Sequence, residues 1–126
     1  MITREIPREE WIGFFNDFSK KHEGWIINLE VVGPDIGDLE EAKQYPLVGI
    51  TADVKGGKSR IEIIVGGKPD IDLNRIIEKP KRVWFRHIEG EERDVIDVES
   101  EDGTKTLLQF RYIPPGQTER QLPESA

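Results

Sequence analysis

Three stretches decide the fold: Val83-Trp84-Phe85-Arg86-His87-Ile88, Arg93-Asp94-Val95-Ile96-Asp97-Val98-Glu99 and Lys105-Thr106-Leu107-Leu108-Gln109-Phe110. Each alternates between two sides, the period of a half-buried β-strand. A turn at Gly90-Glu91 sets Val83 opposite Val98, Phe85 opposite Ile96 and His87 opposite Asp94. A three-residue loop, Glu101-Asp102-Gly103, offers Gly at its left-handed position and sets Leu108 against Ile96 and Lys105 against Glu99. In those registers Val83, Phe85, Ile96, Val98, Leu108 and Phe110 share one face. Three strands in sequence order predict an antiparallel meander, and no βαβ pattern competes with it.

Upstream, Leu47–Lys55 and Ser59–Val65 flank Gly56-Gly57. A two-residue turn there pairs Ala52 with Ile61, Ile50 with Ile63 and Val48 with Val65, while Asp53 meets Arg60 on the other side. Trp25–Val32 also alternates and stops at Gly33-Pro34. The stretch 33–46 is long for a loop, and Asp38 with Glu41 resembles a capping box, so a short helix is expected over Leu39–Gln44 before Pro46. Gly66-Gly67-Lys68-Pro69-Asp70 reads as a turn. Ile71–Glu78 fits either a short strand or a helical turn before Pro80.

The N-terminal part carries the clearest helix. Pro7 suits a first helical position, Glu9 and Glu10 complement the positive end of the dipole, and Lys20, Lys21 and His22 sit at the other end. Gly24 supplies the stop. Trp11, Phe14, Phe15 and Phe18 recur at i, i+3, i+4 and i+7, one buried stripe. Gly13 interrupts this helix at a cost of up to ~1 kcal/mol relative to Ala. The fold expected is α+β: a helix over Pro7–His22 packed on a strongly bent antiparallel sheet of five to seven strands. A small Sm-like or SH3-like barrel is one form of it, and an open sheet the other. One domain spans 1–112, and Pro114-Pro115-Gly116 and the polar residues after it form a tail, 113–126.

Composition narrows the function. The 126 residues are 36% hydrophobic and 34% charged, with the charges interspersed among apolar positions, so the chain is expected to fold without staples. A net charge of −7 disfavours nucleic acid and anionic membranes as partners. The absence of cysteine excludes disulfides, thiolate catalysis and Cys-ligated zinc. No signal-like or membrane-spanning run is present, which makes a cytoplasmic location the default.

The chain resembles a family of short uncharacterised bacterial proteins classed as a domain of unknown function. The resemblance lies in Thr3-Arg4-Glu5-Ile6-Pro7-Arg8-Glu9-Glu10-Trp11, Phe14-Phe15, Phe18-Ser19 and His22-Glu23-Gly24-Trp25. It continues in Gly33-Pro34-Asp35-Ile36-Gly37-Asp38, Leu47-Val48-Gly49-Ile50-Thr51-Ala52-Asp53, Asp102-Gly103 and Phe110-Arg111. It runs to about Tyr112 and implies a bacterial source, with no activity or catalytic residue attached.

Motifs for chemistry are sparse. The two histidines, His22 and His87, lack the spacing of a metal site, and no metal or cofactor is expected. Asp35, Asp38, Glu40 and Glu41 offer oxygen ligands without the pattern of a calcium loop, and read as a solvated loop with a helix cap. None of Ser19, Ser59, Ser100 or Ser125 sits in a nucleophile elbow. Gly56-Gly57 and Gly66-Gly67 are turn glycines rather than phosphate cradles. His87 opposite Asp94 reads as a cross-strand ion pair. Trp84, Arg86, Ile88 and Leu107 lie on the second face of the meander, where an aromatic beside Arg is the composition of an interface hot spot. No catalytic residue is assigned. The expected function is therefore a non-enzymatic interaction module binding a protein partner or itself. The alternatives are a small-ligand or enzymatic site built from the 33–46 loop with His22 or His87, and RNA binding through a small β-barrel, which the acidic charge opposes.

Overall fold

The computed structural model describes residues 2–34, 37–56, 58–66, 72–90 and 93–112. The predicted turn at 67–70 and the tail, 113–126, lie outside these residues. Among these residues eight strands and one α-helix follow in order, the helix entered through a 3-10 turn over Arg8–Glu10 rather than running unbroken from Pro7: β1 (Ile2–Ile6), α1 (Trp11–His22), β2 (Ile26–Gly33), β3 (Gly37–Lys55), β4 (Lys58–Gly66), β5 (Asp72–Glu78), β6 (Pro80–Ile88), β7 (Arg93–Ser100) and β8 (Lys105–Arg111). All the strand pairings are antiparallel, in the order β1-β6-β7-β8-β2-β3-β4-β5. The described pairings leave β1 and β5 as the two ends, which is the open form of the sheet.

The meander registers are those expected. Val83 pairs with Val98, Phe85 with Ile96, His87 with Asp94, Ile96 with Leu108 and Glu99 with Lys105. Gly103 takes φ 91°, the backbone conformation that the three-residue hairpin loop requires of it. The β3–β4 hairpin keeps Ala52 on Ile61, Ile50 on Ile63 and Asp53 on Arg60, but its far end differs. A bulge between Leu47 and Gly49 sets Leu47 opposite Val65, so Leu47 is buried and Val48 exposed. A bulge inserts one unpaired residue, and that single step exchanges the two faces.

The count of eight exceeds the five to seven expected because two further stretches are strands. Ile2–Ile6 is a strand, paired with β6 at the sheet end. Its charges, Arg4 and Glu5, suit an edge. Of the ambiguous stretch before Pro80, Asp72–Glu78 is a strand, β5, paired with β4. The helix expected over Leu39–Gln44 is also replaced by strand: Leu39 pairs with Val31 and Glu40 with Glu30 in the first half of β3. A local capping box offers only ~1 kcal/mol, whereas this pairing satisfies a whole row of β2 backbone groups. Gly37 at φ 69° makes the turn back from β2, and Gln44 at φ 61° bends β3 before Pro46.

The aromatic stripe of α1 is the centre of the core. Trp11, Phe15 and Phe18 are buried, and Phe14 packs partly exposed against Phe85 at 5.6 Å. Around them stand Ile27, Leu29 and Val31 from β2, Ile50 from β3, Ile61 and Ile63 from β4, and the predicted meander face. Two polar ties hold the helix in place. The Trp11 Nε1–H donates to the Ile6 carbonyl at 2.9 Å, while Ser19 Oγ donates to the Ile50 carbonyl at 3.0 Å and accepts from the Ile50 N–H at 2.8 Å.

Phe15→Ala is expected to cost ~3–5 kcal/mol, since truncating a fully buried ring loses transfer energy and leaves a cavity. An unchanged urea midpoint would contradict this core. Gly13 is exposed, and a Cβ built there meets nothing within 4 Å. Gly13→Ala should therefore raise stability by up to ~1 kcal/mol in the same titration.

Candidate functional site

Along α1, the buried positions continue past Phe18 to His22, one further turn of the same stripe. That spacing carries an imidazole into the core. Its ring stacks on Phe18 at 3.7 Å and 6° and lies 4.3 Å from Trp25. The Nδ1–H donates to the Phe18 carbonyl at 2.9 Å, and Nε2 lies 2.6 Å from Oδ2 of Asp94. The other Asp94 oxygen, Oδ1, is 2.6 Å from Nδ1 of His87. Both histidines of the chain thus converge on one carboxylate. The Asp94 and His22 side chains are 7% and 10% exposed, that of His87 42%.

The pairing of His87 with Asp94 was legible in the meander register. The arrival of His22 was not, because it depends on how α1 lies across the sheet. The available signal was its place on the apolar stripe, which marks a buried histidine in need of a partner.

This cluster is more orienting than reactive. Both Asp94 oxygens and both His22 nitrogens are engaged, which leaves the outer nitrogen of His87. Among the serines, Ser19 is tied to Ile50, and Ser59 accepts from the Arg8 guanidinium. Beside His22 runs an open groove of about 530 Å³ with Phe14 and Phe85 on its walls and Arg4, Glu10, Asp17 and Lys21 among its polar lining. Most of the stretch 33–46, expected as a loop, belongs to strands: residues 37–55 are β3. Asp35 lies outside the described residues, as do the side chains of Asp38, Glu40 and Glu41. Among the described residues no group of three or more His, Cys, Asp or Glu side chains could hold a metal ion, and no helix is long and apolar enough to cross a membrane.

The second face of the meander holds the other set of predicted residues. Trp84, Arg86, Ile88 and Leu107 are all half-buried there. Asp97 sits opposite Trp84 on one side and Leu107 on the other. It is 8% exposed, and its Oδ1 has no hydrogen-bond partner among the described residues. The Arg86 guanidinium stands off at 4.0 Å from Oδ2. Burial pushes the Asp97 carboxyl above the ordinary carboxylate value, with Lys105 opposing, Glu99 adding and Arg86 opposing. Sequence alternation placed Asp97 among these residues, but only the depth of the face made it an orphan. By contrast, Asp102 on the exposed hairpin is held below the ordinary value by the Thr104 N–H that its carboxylate accepts at 2.9 Å.

Comparison with known proteins adds a family but no chemistry. The model of a family of unknown function, DUF5335, matches residues 2–119. The chain belongs to this family. It is 30% identical over 115 residues to an uncharacterised protein of Aquifex aeolicus (strain VF5), covering 91% of this chain and 97% of that one. No solved structure matches. The sites of this family member therefore rest on their own geometry.

Asp97 gives a signed pH prediction. A carboxyl raised in the native state favours folding when protonated, and that contribution is lost as the pH rises through its native value. At pH 7 the buried carboxylate is a net cost. Asp97→Asn should raise stability in dilute solution at pH 7 by on the order of 1 kcal/mol, a few degrees in Tm, and by nothing near pH 3. Melting curves at both pH values test this, and a lower Tm at pH 7 would refute it.

Proposed function

We propose that the chain is a small cytoplasmic, non-enzymatic interaction module that pairs with a second copy of itself through the outer face of β6, β7 and β8. The observation that carries this reading is the orphan Oδ1 of Asp97, buried between Trp84 and Leu107. Leaving a buried acceptor unmade costs ~1–3 kcal/mol, and native structures seldom tolerate it without a reason. A donor arriving from outside the chain removes that cost. Arg86, 40% exposed and only loosely paired with Asp97, is such a donor on the same face. A face carrying both the donor and the unsatisfied acceptor is self-complementary under a two-fold axis, which is why a second copy is the occupant favoured. Trp84 and Arg86 are the residue types that dominate interface energetics.

The engagement of Asp94, His22 and the Ser19 and Ser59 hydroxyls in structural bonds supports the non-enzymatic part of the reading. RNA has little to hold it here, since the face is centred on a carboxylate with one unsatisfied oxygen and the chain carries a net charge of −7.

Sedimentation velocity from low to several hundred micromolar should show a dimer. Trp84→Asp should give a monomer with an unchanged far-UV circular dichroism spectrum, and Arg86→Glu, at a more exposed position, should do the same if the first variant unfolds. A parent that stays monomeric throughout that range overturns the proposal.

A further inference from the structure

Hydrogen bookkeeping in the histidine cluster leads to a second, independent conclusion. The Phe18 carbonyl can only accept, so His22 Nδ1 carries a hydrogen. Between His22 Nε2 and Asp94 Oδ2, and between His87 Nδ1 and Asp94 Oδ1, each 2.6 Å contact needs one hydrogen of its own. Three contacts thus require three hydrogens. A carboxylate with two neutral imidazoles supplies two. Without the third, the Nε2 lone pair of His22 faces a carboxylate lone pair at 2.6 Å in a buried setting. The arrangement stands only with one additional proton, whether it rides on His22 or on Asp94.

We propose that His22, Asp94 and His87 form a proton-binding latch that fastens the C-terminal end of α1 to β6 and β7. With the shared proton in place, every polar atom facing the cluster's interior is paired. Loss of that proton sets a lone pair of Asp94 against one of His22 and loosens the last turn of α1, and with it the groove that His22 helps to line.

The charged neighbours are few. Glu9, Glu10, Asp17 and Lys21 share the groove with His22 from the helix side, and Arg4 does so from β1. Arg86, Arg93 and Arg111 lie next to the cluster residues or their cross-strand partners along β6, β7 and β8, but strand alternation turns them to the opposite face. Trp25, which covers the ring of His22, itself contacts Tyr112.

The isosteric variant Asp94→Asn separates the proton from the packing. Its amide N–H donates to His22 Nε2 and its oxygen accepts from His87 Nδ1–H, so all three contacts are met without the extra proton. In the unmodified protein at pH 7, imidazole ¹⁵N and side-chain carboxyl ¹³C spectra should show either hydrogens on both nitrogens of His22 or a protonated Asp94. Asp94→Asn should turn His22 into a neutral ring protonated only on Nδ1. A native state that holds a proton which the unfolded chain does not bind loses stability as pH rises. Tm of the parent should fall with rising pH, and that slope should vanish in Asp94→Asn. A neutral His22 beside an ionised Asp94 at pH 7 would overturn the proposal, as would an equal slope in parent and variant. The spectra need no variant and decide the matter even if Asp94→Asn does not fold.

Discussion

One helix has to close one side of an eight-stranded sheet, and the rest of the structure depends on that constraint. A helix is narrow, so the sheet must bend around it for Trp11, Phe15 and Phe18 to reach Ile27, Ile61, Ile96 and Phe110 together. The bend is placed where the chain permits it. Gln44 takes a left-handed backbone conformation ahead of Pro46, a bulge at Val48 resets the faces of β3, and Lys79 at φ 49° joins β5 to β6 without a loop. Each irregularity occupies a joint between the regular stretches. The Lys79 corner is itself tied down: its N–H donates to the Ser59 carbonyl and its carbonyl accepts from the Glu101 N–H.

The helix arrives with polar groups of its own, and the structure matches each to a partner on the sheet. Trp11 donates to Ile6 at the start of α1, Ser19 exchanges two bonds with Ile50 in the middle, and His22 meets Asp94 at the end. These bonds fix the helix along its axis, which non-directional apolar packing does poorly. The His22–Asp94 bond differs from the others because it depends on a proton, which the other two do not.

Strand β7 shows how position on one strand separates two aspartates. Asp94 and Asp97 are three residues apart and so face opposite sides of the sheet. On the helix side, Asp94 has a donor for each oxygen. On the other side, Asp97 is as deeply set but keeps one oxygen without a partner. The first is a completed internal network and the second an incomplete one. That contrast separates a helix side closed on itself from an outer side that we propose meets a second copy.

The sequence by itself determined the elements whose signals are local. The stripe from Trp11 to Phe18, the alternation through the meander and the turn glycines at 56 and 103 state their own periods, and the registers follow because a one-residue slip would invert every side chain. It also brought His87 and Asp94 together, since that pairing is a consequence of register. Tertiary structure decided what local signals leave degenerate. Leu39–Gln44 held a plausible helix start, yet β2 had an edge to be paired and drew it into a strand. The N-terminal Ile2–Ile6 has too little apolar contrast to announce an edge strand before β6 exists beside it. His22 joined Asp94, and one oxygen of Asp97 was left without a donor, only when helix and sheet took up their places, because burial and proton sharing belong to groups far apart in the chain and have no period for a sequence to carry.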